Sequence, residues 1–241
     1  MRIFEEKILN NGVEIHILQS HIETAQNTPL LIIPGITESA EDYLEVMKLL
    51  NNRNCIVISL RGRGKSDSPQ DGYSLEHHIQ DIEKVVEHLK LNELVLMGYS
   101  RGVSYMLGYA LKYPDKLKGV VIGDYPAVHT RLPEKWVDWF VSQPEWRGKT
   151  ALERMERRAL EGIQKESQEK VFWPDLHKIT CPVLIIQGGK EGAILTKDIS
   201  EQYMQSLDNA QLVVFEESDH NIFEPNIRRF IDEINQFMMR L

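Results

Sequence analysis

The sequence predicts an α/β fold: a mostly parallel eight-stranded sheet with helices on both faces and a small helical lid. Three observations carry this. From residue 30 to 122, short apolar runs alternate with helix-period segments, the order required by a parallel sheet covered on both sides. Between Asp124 and about Thr180 the alternation lapses, and two helical stretches and all four tryptophans occur instead. The alternation then resumes to the C-terminus, so residues 125–180 are expected to be an insertion that returns to the same sheet, within one domain spanning 1–241.

The elements follow in order. Residues 2–9 and 13–19 flank Asn10-Asn11-Gly12 and predict an antiparallel hairpin with an Asn-Gly turn. Leu30-Leu-Ile-Ile33 is a buried strand stopped by Pro34-Gly35, residues 40–51 fit a helix, and Cys55–Leu60 fit the next strand before the glycine-broken Arg61-Gly-Arg-Gly64. Over 74–90, Leu75, Ile79, Ile82, Val85, Val86 and Leu89 recur at helical spacing behind a capping Ser74. Strands are expected at 94–98, 117–122, 183–187 and 212–215, with helices at 101–113, 133–142, 150–166 and 196–207. A last helix is expected over 225–240, with Pro225 in its first turn.

Composition narrows the function. Apolar residues make up 42% and charged residues 27%, ordinary for a soluble globular chain, and a formal charge of −8 disfavours nucleic-acid and anionic-membrane surfaces. A small-molecule substrate is the expected partner, with no nucleic acid, no membrane and a monomer or homodimer. Cys55 and Cys181 begin apolar strands and form neither a disulfide framework nor a metal motif. The acidic N-terminal stretch lacks the apolar run of a signal peptide, so the cytoplasm is the expected location.

Gly98-Tyr-Ser-Arg-Gly102 directly follows an apolar strand and opens a helix. In that context a Gly-x-Ser-x-Gly pattern describes a sharp turn that lifts a serine hydroxyl above the sheet edge, with small residues relieving the crowding on either side. A serine that merely caps the helix is the competing explanation. A serine nucleophile needs a base to take its proton, and His220, between the last strand and the last helix, falls at the same carboxyl edge as the turn. The other seven histidines form no zinc motif.

With Pro34-Gly-Ile-Thr37, Arg61-Gly-Arg-Gly-Lys-Ser-Asp67, the turn at Ser100 and the late Asp219-His220, nearly the whole chain resembles the α/β-hydrolase fold superfamily, in its serine hydrolase, esterase-like branch. The resemblance implies Ser100 as nucleophile and His220 as base. It also implies an acid after the strand that follows the lid, which names Glu191 in Gly188-Gly-Lys-Glu191, although aspartate is usual there. Asp124, ending the strand before the lid, competes for the role. Either carboxylate would orient His220, the alternatives being a solvated loop acid for Glu191 and a cap or hinge for Asp124.

By the same resemblance, the backbone N–H groups of Ile36 and Arg101 are the expected oxyanion donors. Pro34-Gly35 stands where the family commonly has His-Gly, so a side-chain contribution there is lost. Trp136, Trp139 and Phe140, with Trp146, are expected either to roof an apolar pocket or to glue the lid to the body. Arg101 opposes the dipole of the helix it opens, which calls for a partner: Asp124, Glu38 or an anionic substrate group. The expected activity is hydrolysis of a small carboxylic ester, thioester, lactone or amide through an acyl-serine, with no metal or organic cofactor. A C–C bond (β-diketone) hydrolase, a proton-abstracting lyase and a low-turnover small-molecule sensor keep the same residues.

Overall fold

The computed structural model describes residues 2–21 and 28–241. Strands β1 (Arg2–Asn10) and β2 (Val13–His21) form an antiparallel hairpin, turning at Asn11 and Gly12 with φ of 47° and 85°, the left-handed pair a tight hairpin turn needs. Next come β3 (Leu30–Ile33), α1 (Leu44–Leu49), β4 (Cys55–Ser59), α2 (Leu75–His88), β5 (Leu94–Tyr99), α3 (Gly102–Lys112) and β6 (Leu117–Gly123). The eight-stranded sheet is completed by β9 (Val183–Gly188) and β10 (Ala210–Phe215), in the order β1-β2-β4-β3-β5-β6-β9-β10. Its pairings from β4 to β10 are all parallel.

Every residue of β3, β4 and β5 is buried, as expected of strands covered on both faces. Alternation along β5 sends Leu94 and Leu96 to one core with α2 and α3, and Val95, Met97 and Tyr99 to the other with α1 and α8 (Ile227–Met238). Helix α7 (Lys197–Ser206) joins the first core through Tyr203. Between β6 and β9 lie β7 (Val128–His129), α4 (Trp136–Val141), α5 (Ala151–Arg154), α6 (Arg157–Glu166) and β8 (Lys170–Val171). This segment has its own small core, in which Trp136, Val137, Leu160 and Ile163 pack with Tyr73 of the main body.

Several local expectations are corrected. Strands β7 and β8 pair at the base of a segment that shows no strand signal, because two residues are too few to set up a period. The helix expected at 40–51 begins as a 3-10 turn at Ala40–Tyr43, where Asp42 and Ser39 form a capping box. The helix expected at 150–166 breaks at Met155 and Glu156, both in extended conformation, with Met155 turned into the small core. Pro225 lies before the last helix rather than in its first turn; Asn226 is the cap, its side chain accepting from the Arg229 amide at 3.3 Å.

The loop after β4 is anchored by a buried ion pair. The Arg61 Nε and Nη2 atoms donate to the two oxygens of Asp81 on α2 at 2.8 and 2.7 Å, and Asn10 donates to the same carboxylate at 2.8 Å. Removing one partner leaves an uncompensated buried charge. Asp81→Ala is expected to lower the unfolding free energy by about 3–5 kcal/mol in urea titrations; a loss within the scatter of exposed-site substitutions would show that the pair does not anchor this loop.

Candidate active site

Ser100 occupies the turn between β5 and α3 with φ of 52°, a left-handed conformation that costs a non-glycine residue energy. The Ser100 amide donates to the Gly123 carbonyl at 2.9 Å, and the Val103 amide donates back to the Ser100 carbonyl at 2.9 Å. No side chain fits at either flanking glycine: a Cβ on Gly98 would lie 2.7 Å from Val103 Cα, and one on Gly102 would run into the carbonyl oxygens of Ile33 and Pro34. The crowding that makes the turn sharp thus also dictates the glycines.

His220 follows β10 and reaches the same edge of the sheet. Its Nε2 lies 2.9 Å from Ser100 Oγ, and its Nδ1 lies 2.7 Å from Asp124 Oδ2. The ring stacks on Tyr99, whose hydroxyl donates to the His220 carbonyl at 2.7 Å, and Trp146 packs nearby with ring centroids 5.7 Å apart. Asp124, directly after β6, has no solvent exposure. Its Oδ1 accepts from the Gly188 and Leu195 amides at 3.1 and 3.3 Å, and its Oδ2 from the Ile194 amide at 2.8 Å as well as from His220. A buried carboxyl group needs such partners for its oxygens, and here both are hydrogen-bonded.

Of the two competing acids, therefore, Asp124 lies against His220 and Glu191 does not. Glu191 is exposed in the loop after β9. That loop turns its backbone N–H groups at Ile194 and Leu195 toward Asp124, so it supplies hydrogen-bond donors to Asp124 and leaves Glu191 away from His220.

Ile36 and Arg101 line one pocket with Ser100 and His220, and its volume is about 450 Å³. Gly35 brings the Ile36 loop close, since a Cβ there would lie 3.4 Å from Ser100 Cβ. Arg63, buried to 1% exposure, donates through Nε to the Ile36 carbonyl at 2.9 Å and fixes the peptide from behind. Trp136, Trp139, Phe140 and Trp146 all line the pocket. Trp136 also does what the gluing alternative required, stacking on Phe140 at 4.6 Å and sitting in the small core, whereas Trp139 stays 58% exposed at the rim.

Arg101 pairs with neither Asp124 nor Glu38. Its side chain, 3% exposed, donates to Thr130 Oγ1 and the Thr130 carbonyl at 2.9 Å each, to His129 Nε2 at 3.0 Å and to Tyr105 Oη at 3.3 Å. Partners at 129 and 130 lie beyond the reach of any local pattern. Glu38 instead binds Arg147 at 3.1 Å and the Trp146 indole at 3.0 Å. With Arg154 on Asp42 at 2.6 Å, these bonds fasten the segment to the main body. Sequence reasoning missed both clamps; their only trace was a pair of acids, Glu38 and Asp42, in the loop that also carries Ile36.

A family model described as the alpha/beta hydrolase fold matches residues 28–180. The chain belongs to the α/β-hydrolase family. This α/β-hydrolase is 24% identical over 281 aligned residues to a proline iminopeptidase of Saccharolobus solfataricus, covering 94% of this chain and 89% of that one. It is 24% identical to a human serine hydrolase, covering 95% and 83% of the two chains. Among solved structures, an esterase from Exiguobacterium antarcticum superposes with a TM-score of 0.80 at 19% identity, covering 98% of this chain and all of that one. Among the described residues, no helix is long and apolar enough to cross a membrane, and no three His, Cys, Asp or Glu side chains are grouped to hold a metal.

Two buried histidines flank this α/β-hydrolase's site. Burial, then the Arg101 charge, pushes His129 down to about 3, and burial, then Arg63, pushes His78 well below the usual range. An unfolded histidine titrates near 6.5, so below that pH the unfolded chain binds protons that the folded chain refuses, and stability falls as pH drops toward 3. His129→Gln is expected to make that fall shallower by about 1.4 kcal/mol per pH unit between pH 6 and 4, measured by urea unfolding at each pH. Identical slopes in the two proteins would show that His129 is protonated in the fold.

Proposed function

We propose that this α/β-hydrolase is a serine hydrolase that cleaves a small carboxylic ester, thioester, lactone or amide through an acyl-Ser100 intermediate. The observation that carries the proposal is the unbroken hydrogen-bonded line from Ser100 Oγ through His220 to Asp124, ending in a pocket large enough for a small substrate. The activities of the relatives, an iminopeptidase and an esterase among them, agree with acyl transfer to water.

In this account His220 Nε2 accepts the Ser100 proton as Oγ attacks the substrate carbonyl, and Asp124 holds the opposite nitrogen protonated and stabilises the imidazolium. The carbonyl electrons move to an oxyanion facing the N–H groups of Ile36 and Arg101, a contribution of typically a few kcal/mol. Collapse of this intermediate expels the alcohol, thiol or amine, which takes the proton from His220. Water then repeats the sequence on the acyl-Ser100 ester, returning the serine and releasing the acid.

Stopped-time assays on a panel of 4-nitrophenyl acyl esters test the assignment. Asp124→Asn is expected to lower kcat by about a thousandfold or more, because an amide cannot hold the imidazole in the productive tautomer. Glu191→Gln is expected to stay within about twofold, as an exposed substitution should. Two mild variants would remove the triad. A folded wild type inert to every ester would transfer the same residues to C–C bond hydrolysis, a lyase or a sensor.

A further inference from the structure

Of the buried arginines that line the pocket, Arg101 is the one without a carboxylate partner among the described residues. Arg61, Arg147 and Arg154 each face a carboxylate, on Asp81, Glu38 and Asp42 respectively. Arg101 bonds only to neutral groups: two oxygens of Thr130, the Tyr105 hydroxyl and His129 Nε2. His129 cannot supply a negative charge, and its tautomer is set by its neighbours. Because Nε2 accepts from Arg101, the ring proton is on Nδ1, which donates to Ser104 Oγ at 2.9 Å, and Ser104 donates onward to the Arg101 carbonyl at 2.8 Å. The result is a closed neutral ring around a cation. Among the described residues, no carboxylate lies within 4 Å of it. Arg53 and Arg63 also lack an acid partner, but neither lines the pocket.

A desolvated cation without a counter-charge is expensive, and this one lies one residue from the nucleophile in the wall of the catalytic pocket. The hydroxyls in front of it are disposed accordingly. Thr130 Oγ1 accepts from Arg101, so its own proton points elsewhere, and its one hydroxyl neighbour is Tyr125 Oη at 3.4 Å. Thr130 and Tyr125 both line the pocket with Ser100. Two hydroxyl protons and one mutual contact leave a donor for a ligand, polarised by the guanidinium behind it. The pocket's one buried acid, Glu38, is already committed to Arg147.

We propose that Arg101, Thr130 and Tyr125 form an anion-binding subsite beside Ser100, and that the preferred substrates are acyl compounds bearing a free carboxylate. This deepens the hydrolase assignment and rests on it. The charge that opposes the helix dipole at Arg101 then has a purpose: it stays uncompensated until the substrate supplies its counter-ion.

A matched pair of esters tests the subsite: the 4-nitrophenyl ester of glutaric acid with its second carboxylate free, and the same ester with that carboxylate methylated. Wild type is expected to favour the free acid by about tenfold or more in kcat/KM, the size of one hydrogen bond to a charged group. The ratio should fall toward one in Arg101→Met and in Thr130→Val. The second variant leaves the arginine in place should the first not fold, and a general loss of catalytic power cancels in the ratio. Turnover of both esters at equal rates by wild type would overturn the subsite and leave the hydrolase assignment standing. In parallel, glutarate and glutaramide are titrated into Ser100→Ala protein, read by the fluorescence of the pocket tryptophans. Glutarate binding that glutaramide does not match, and that the additional Thr130→Val change weakens, supports the subsite even where neither ester is cleaved. Equal or absent response to both ligands overturns it.

Discussion

The arrangement of the site depends on one buried charge. Asp124 is sealed from solvent at the end of β6, and four donors converge on its carboxylate: the amides of Gly188, Ile194 and Leu195 and the Nδ1 atom of His220. Satisfying that charge forces the loop after β9 to fold back over the end of β6. It also draws the loop after β10 inward and sets the direction of the His220 ring. Ser100 then needs only the strained turn after β5, whose amide is held by Gly123, the residue before Asp124. Strand β6 thus positions both ends of the hydrogen-bonded line.

The walls of the pocket follow from a second set of charges. Glu38 and Asp42 receive Arg147, Trp146 and Arg154 from the segment between β6 and β9. Arg147 is further held over the Phe223 ring at 4.8 Å. These contacts bring Trp146 against His220 and shape the side of the pocket facing the proposed oxyanion donors. On the opposite side, Arg101 ties Thr130 to the first turn of α3, so the entry of the same segment is fastened beside Ser100. Both ends of the roof are therefore held by arginines, one balanced by an acid and one not.

Much of this was legible in the sequence because the signals are local. Strands buried on both faces read as unbroken apolar runs, as at Leu30–Ile33 and Leu94–Tyr99, and α2 shows its buried face at every third or fourth position behind Ser74. The turn at Ser100 is legible because steric crowding demands glycine two residues away on each side. What was not legible depends on contacts between distant segments. Asp124 and Glu191 both follow strands at the same sheet edge, and only the path of the loop at 188–195 decides which one meets His220. The partners of Arg101 and Glu38 are likewise set by the fold of the β6–β9 segment, whose two-residue strands and broken helix leave little periodic trace.

The central claim is that Ser100 is a nucleophile activated by His220. Labelling with a fluorophosphonate followed by mass spectrometry of the digested protein tests it most directly. The account predicts a single covalent phosphonyl adduct on Ser100, absent from Ser100→Ala and formed far more slowly by His220→Gln. A folded protein whose Ser100 stays unmodified would contradict it.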